Sequence, residues 1–515
     1  MADLPPEYLD PRTPPDVVVT DRARPAIEDP TLGIPVPPRP PGPAGHRLVT
    51  VGDSLTHGMT SGAVFRTDLS WPAIAARSLG IDDFAVPTYG GPLGGLPLNL
   101  EGLLRKLEDK FGRRLGPVET AALPFVVHDL LDANEDYWER GPGSALPPAT
   151  PRPENIGIYG WDVRDCLSFT AGRAAERIAA HPPRDDFLAV KPTNDDEIAA
   201  LSVLDPFGPA AAQVDAAARH GRDGGIDTLV VAVGANNALR TVVDKRVEWS
   251  GPDFADLDAK QRYTVWRPTH FATEYAELAR VIRMVDARRV VLATVPHVTI
   301  APVAQGVNPE DPDHKWRPGS RYFPYYTDPW IAEADFRPDR HRHLTHQQAR
   351  AVDSAIDQYN DTVVDAVRSA RAEGRDWLLF DLCAVLDGLA RRRFEDDPAA
   401  AARNDWRPYP LPPPLADLDT HFFRSDRNGR SQGGLFGLDG VHPTTSAYGI
   451  AAAAFLDVLG ADGVPAAPVD FAEVRRQDTL NEDPPALMDP VFALLTPFLA
   501  RLVSRARVPL DAPEP

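Results

Sequence analysis

The stretch "HRLVTVGDSLTHGMTSG", residues 46–62, decides the fold. Leu48, Val49, Thr50 and Val51 make a short apolar, β-branched run of the kind buried in a parallel sheet. The run stops at Gly52-Asp53-Ser54, and such small polar residues at the carboxyl end of a parallel strand face the crevice where ligands bind. Downstream, "FRTDLSWPAIAARSLG" (65–80) carries Trp71, Ile74 and Leu79 on one helical stripe, which completes a β-α unit.

Three further runs resemble buried strands, "IDTLVVAVG" (226–234), "RRVVLATVP" (288–296) and "DWLLFDL" (376–382), each with polar residues at its end. Before the last of them, Thr345 opens "THQQARAVDSAIDQYNDTVVDAV" and Gln348 completes a capping box. Ala349, Val352, Ile356, Tyr359 and Val363 then follow at spacings of three and four. A terminal helix is expected over 447–460. Strands alternating with helices imply an α/β doubly wound sheet.

Thirteen of the first 45 residues are proline, so residues 1–45 read as an extended arm. Residues 46–460 hold the main domain, and 461–515 form an acidic, proline-rich tail. Long stretches at 81–150, 181–222, 240–275, 300–343 and 388–433 read as insertions that build a pocket wall. Within the tail, Val491, Leu494, Leu495, Phe498, Leu499 and Leu502 form an apolar helical stripe, with Arg501, Arg505 and Arg507 at its end. Two placements suit that helix, a membrane interface and the protein's own surface. Pro490, Pro497 and the acidic flank favour the second.

A formal charge of −20 disfavours nucleic acid and anionic lipid as partners. The two cysteines, Cys166 and Cys383, exclude a disulfide framework and offer no CxxC or Cys/His metal spacing. No apolar run approaches the length of a membrane span, and no signal peptide is read at the N-terminus, so a cytoplasmic protein is the expectation. "RHRHLTH" places His341, His343 and His346 together, but it lacks a patterned carboxylate and leads into the helix cap, so no metal is expected. The glycine-rich segment 90–114 lacks the spacing of a phosphate-binding loop.

Four segments carry the candidate chemistry: Gly52-Asp53-Ser54; "ENIGIYGWDVRD" (154–165), an apparent strand ending at Gly160; "VAVGANNAL" (231–239); and "GLDGVHPTTSAYG" (437–449). A serine hydroxyl needs a base to become a nucleophile, and imidazole titrates in the useful range. His442 suits that role, and Asp439, three positions earlier on a turn, can hold the far ring nitrogen. The Ser54 and Gly160 backbone N–H groups and the Asn236 amide would receive the oxyanion. Asp53 reads as a support of the turn, and His57 as a rival base on a helix surface.

These four blocks resemble those of the SGNH, or GDSL-type, hydrolases. The resemblance covers about residues 46–460 and leaves the insertions unexplained. It implies a flavodoxin-like α/β/α sandwich with a five-stranded parallel sheet and a carboxylic ester hydrolase acting on a small-molecule ester without metal or organic cofactor. It further implies that Ser54, Asp439 and His442 are the triad and that Ser54, Gly160 and Asn236 form the oxyanion hole. The third block departs from the usual Gly-x-Asn-Asp, because Asn237 takes its last place. Gly90 or Gly91 competes with Gly160 for the second block, but has no clear strand before it and no Asp-started helix after it. Trp161 and Asn237 are expected to line the substrate pocket, with core packing the alternative for Trp161. A lipid-directed hydrolase or acyltransferase is the other enzyme reading, and a non-catalytic binding module on the same fold is the reading of a different class.

Overall fold

The computed structural model describes residues 4–20, 22–37, 44–140, 149–182, 191–310, 321–390, 401–402 and 406–503, without the side chains of 260 and 496–503. Its centre is a five-stranded, all-parallel sheet: β1 (His46–Gly52), β2 (Asn155–Gly157), β3 (Ile226–Ala232), β4 (Ala287–Ala293) and β5 (Trp377–Phe380). The strand order is β5-β4-β3-β1-β2. The order reverses at β1, so the chain leaves β1 and its neighbour β3 towards opposite sides and opens a crevice at their carboxyl ends. Ser54 lies there.

Alternate residues of each strand face opposite layers, as the two-residue side-chain period requires. Leu48, Val230, Val291, Leu378 and Phe380 pack beneath α1 (Trp71–Ser78) and α5 (Thr445–Ala461), against Trp71, Ile74, Phe455 and Leu459. Val49, Val51, Ile156, Leu229, Leu292 and Leu379 face the other layer, made by α2 (Gln213–Arg222), α3 (Pro268–Ile282) and α4 (His346–Ala372). Each such side chain, fully buried, contributes about 1.5–3 kcal/mol, so the two layers fix the register of the whole sheet. The α4 cap forms as its sequence demands: Thr345 Oγ1 accepts from Gln348 N–H, and Gln348 Oε1 accepts from Thr345 N–H at 2.9 Å.

The described part of the proline-rich arm is held along α4 and the β5 edge. Asp16 pairs with Arg267 at 2.8 Å and accepts from Thr269, while Val18 and Thr20 N–H donate to Gln358 and Ser354 of α4. Pro30 carbonyl accepts from Leu379 N–H at 2.9 Å, which satisfies a donor that the edge strand would otherwise present to solvent.

Two of the five insertions carry long helices. Segment 81–150 contains the helices Leu100–Phe111 and Pro117–Arg140, and segment 181–222 contains Asp195–Leu204 as well as α2. Leu100, Leu103, Leu104 and Leu107 join Leu123, Val127 and Leu131 in a second apolar cluster. The tail helix α6 (Met488–Val503) docks on this cluster through Val491, Phe492 and Leu495, all buried. Phe498, Leu499, Leu502, Arg501, Arg505 and Arg507 of the stripe lie outside the described side chains. Among the described residues no helix is long and apolar enough to cross a membrane.

Candidate active site

Gly52 ends β1 because nothing larger fits: a Cβ there would lie 2.4 Å from Ala232 O and 2.3 Å from Thr56 Oγ1. The chain then turns into the one-turn helix Ser54–His57, capped by Asp53, whose carboxylate accepts from Leu55 N–H at 3.0 Å. Gln213 Nε2 donates to Gly52 O at 2.8 Å, and Asn155 Nδ2 donates to Thr56 O at 2.8 Å, so α2 and β2 both brace the turn. Burial pushes the Asp53 carboxyl up to about 6, against the opposing pull of the Leu55 N–H and the nearby His442. Asp53 thus supports the turn, as read from the sequence.

Asp439 and His442 sit in one buried turn. Asp439 Oδ1 accepts from Val441 N–H at 2.8 Å and from His442 N–H at 2.9 Å, and its Oδ2 lies 2.9 Å from His442 Nδ1. Oδ2 accepts a further bond from Gly62 N–H at 2.7 Å. Burial raises the Asp439 carboxyl, but the His442 ring and these backbone donors outweigh it and hold the group below its ordinary value. With Oδ2 an ionised acceptor, the hydrogen on His442 is placed on Nδ1, which leaves Nε2 as a base.

Gly62 was missed by sequence reasoning, although it closes the decisive stretch. It belongs to the hairpin Met59–Thr60/Ala63–Val64, whose turn also gives a Ser61 hydroxyl that accepts from Leu438 N–H at 3.1 Å. The segment just after the candidate nucleophile therefore grips the turn that carries Asp439 and His442.

Gly160 is the third residue of a turn closed by Trp161 N–H on Ile158 O at 3.4 Å, and its φ of +73° is a conformation that favours glycine. Asp162 then caps the helix Val163–Ser168 with a capping box to Asp165. Asn236 lies in a single 3₁₀ turn after β3, and its Nδ2 donates to Trp161 O at 2.9 Å. That bond uses one amide hydrogen and ties the second and third blocks together; the other hydrogen remains for a ligand.

Ser54, Gly160, Asn236, Asp439 and His442 line a single cleft enclosing about 930 Å³, its open mouth included. Among the described residues no hydrogen bond joins Ser54 Oγ to His442 Nε2. Each long insertion supplies wall: Pro97 and Leu100, Asp195, Arg240 and Val243, Trp330, and Phe422. Phe492 of α6 adds to the wall. Its charged groups are paired, Arg240 with Asp244 at 2.9 Å and Lys191 with Asp195 at 3.0 Å, so the remaining surface is mostly aliphatic and aromatic.

Three expectations are corrected. Trp161 is buried in the core against Phe169, ring centroids 5.3 Å apart, and lies outside the cleft wall, because the turn at Gly160 directs the following side chain inward. Asn237 is also fully buried; its Oδ1 accepts from Val163 N–H at 3.3 Å, and it borders a smaller adjoining cavity beside Trp266 rather than the main cleft. His57 is not on a surface either. Its Nδ1 accepts from Tyr159 N–H at 3.1 Å, its Nε2 lies 2.7 Å from Tyr89 Oη, and burial pulls its pKa down to about 3. Both ring nitrogens are engaged away from Ser54, which removes it as a rival base. His341 and His343 pack against Phe336 rather than gathering carboxylates.

No family model, curated protein or solved structure matches the chain.

Proposed function

We propose that the protein is a serine hydrolase of the SGNH type that cleaves carboxylic esters through an acyl-enzyme. The observation that carries this reading is the convergence of five residues from four distant segments on one cleft, with His442 Nδ1 held at 2.9 Å by Asp439. The strand order 2-1-3-4-5 supports it as well, being that of flavodoxin-like sheets.

In the proposed reaction Ser54 Oγ attacks the ester carbonyl carbon while His442 Nε2 takes the hydroxyl proton. Asp439 keeps the imidazole in the required tautomer and stabilises the imidazolium. The carbonyl oxygen becomes an oxyanion facing the Ser54 and Gly160 backbone N–H groups and the second Asn236 amide hydrogen. Collapse expels the alkoxide, which takes the proton from His442 and leaves as the alcohol. A water then attacks the acyl-Ser54 ester, giving its proton to His442, and the acid departs as Ser54 regains its hydrogen.

The cleft's chemistry suits an ester with an apolar acyl chain. Met59, Leu100, Leu239, Val243, Trp330 and Phe492 can bury methylenes at about 0.8 kcal/mol each, and the paired cations offer no unbalanced charge to an acidic substrate. Phe492 in the wall also favours the lipid-directed hydrolase or acyltransferase as the second reading, since α6 then shapes the acyl site. Hydrolysis of p-nitrophenyl esters from acetate to palmitate tests both readings. A kcat/KM that rises with chain length and vanishes in Ser54→Ala supports them, and turnover that persists in Ser54→Ala refutes the mechanism.

A further inference from the structure

A cluster that no step of the proposed reaction uses lies at the carboxyl ends of β4 and β5. His297 follows β4, while Cys383 and Asp387 stand one turn apart on the helix Leu382–Leu389 that follows β5, so both present their side chains on the same face. One ligand atom from each of the three, an imidazole nitrogen, a sulfur and a carboxylate oxygen, fall within 4.8 Å of one another. His297 Nδ1 is 2.8 Å from Asp387 Oδ2 and 3.7 Å from Cys383 Sγ. His297 and Cys383 are each only 2% exposed. None of the three borders the catalytic cleft.

We propose that His297, Cys383 and Asp387 form a metal site for a divalent transition ion, zinc by choice of ligands, with Asp357 as the positioning carboxylate behind the imidazole. The donor set is the argument: a thiol, an imidazole and a carboxylate are the three side chains that zinc takes, and a thiolate disfavours magnesium and calcium. With metal bonds of about 2.0–2.3 Å in tetrahedral directions, ligand atoms stand about 3.3–3.6 Å apart. The Nδ1–Sγ separation already matches, and Nδ1–Oδ2 needs to open by about 0.5 Å. Behind the ring, His297 Nε2 lies 3.0 Å from Asp357 Oδ1, the carboxylate–imidazole pairing that orients a metal-bound histidine.

Binding balances in charge. The ion displaces the Cys383 thiol proton and the Nδ1 proton to solvent, and the dication meets one thiolate, one carboxylate and a neutral imidazole. Asp357 keeps its ion pair with the buried Arg321, 3.9 Å away. Three protein ligands leave a fourth position for water.

Cobalt(II) chloride is the probe. Full-length protein, dialysed against chelator, is titrated and its near-ultraviolet and visible absorption followed. The expected result is one ion per chain, an intense cobalt–thiolate band, and its loss on adding zinc chloride. The chain's only other cysteine, Cys166, provides the control: Cys166→Ser keeps the band and Cys383→Ser loses it. Asp357→Asn, which retains every ligand, keeps the band in the loaded protein while weakening affinity about 10–100-fold. A folded wild-type protein that shows no thiolate band with millimolar cobalt overturns the proposal and leaves a buried Asp387–His297–Asp357 bridge. So does a band that survives in Cys383→Ser.

Discussion

Replacing Asp439 with asparagine separates this side chain's two tasks, because it exchanges one oxygen for NH2 in a group that accepts four hydrogen bonds. Oδ1 takes the Val441 and His442 backbone N–H groups, and Oδ2 takes Gly62 N–H at 2.7 Å and His442 Nδ1 at 2.9 Å. An amide oxygen left in the Oδ1 position keeps the first two bonds, and the amide nitrogen then points two hydrogens at Gly62 N–H and at His442. The imidazole can meet it only by presenting a bare Nδ1, which moves the ring hydrogen to Nε2, where it faces Ser54. A base in that tautomer cannot take the hydroxyl proton, and the same wrong-tautomer change in a serine-protease triad lowers kcat by about 10⁴, or about 5.4 kcal/mol of transition-state stabilisation. Gly62 N–H loses its acceptor at a buried site, which costs a further ~1–3 kcal/mol of folding stability. Steady-state hydrolysis of a p-nitrophenyl ester, with a urea unfolding curve on the same preparation, reads both effects. A folded Asp439→Asn protein whose kcat stays within about tenfold of the wild type would refute the reasoning.

Asn236→Ala is expected to lower kcat by about 10²–10³ with little change in KM, since the lost donor acts on the oxyanion; an unchanged kcat would take Asn236 out of the hole. Gly52→Ala should destabilise the protein by more than ~2 kcal/mol in urea unfolding, because its methyl group meets the Ala232 carbonyl and Thr56, and a neutral outcome would show that the nucleophile turn has room to spare. His57 is buried and neutral, with a folded pKa of about 3 against about 6.5 when unfolded. Between those values the unfolded chain binds a proton that the native state does not, so stability falls as pH falls through the window, by about 2 kcal/mol from pH 7 to pH 5. His57→Gln should remove that part of the slope, and an unchanged slope would place the acid sensitivity elsewhere.

Much of the sheet was legible because four of its strands are apolar runs buried on both faces, and a parallel sheet writes that pattern directly. β2 was different: Asn155–Gly157 is too short to carry a period, and only the turn glycine and the Asp162 cap after it marked its place. The turn that pairs Asp439 with His442 was legible for a local reason, the two being three residues apart. Gly62 was not, because its contact with Asp439 spans 377 positions and a backbone N–H has no residue type to betray it. Trp161 illustrates another limit: the sequence shows an aromatic residue after a turn, but the side to which it points depends on the φ of Gly160. His297 and Cys383 are 86 residues apart and meet only because β4 and β5 are neighbours.

The most direct test is to treat the folded protein with a fluorophosphonate and locate the adduct by peptide mass spectrometry. Stoichiometric phosphonylation at Ser54, absent in His442→Ala, is the result expected of a hydroxyl activated by the Asp439–His442 pair. A folded protein that takes no label, or takes it on another serine, would contradict the assignment of Ser54 as the nucleophile.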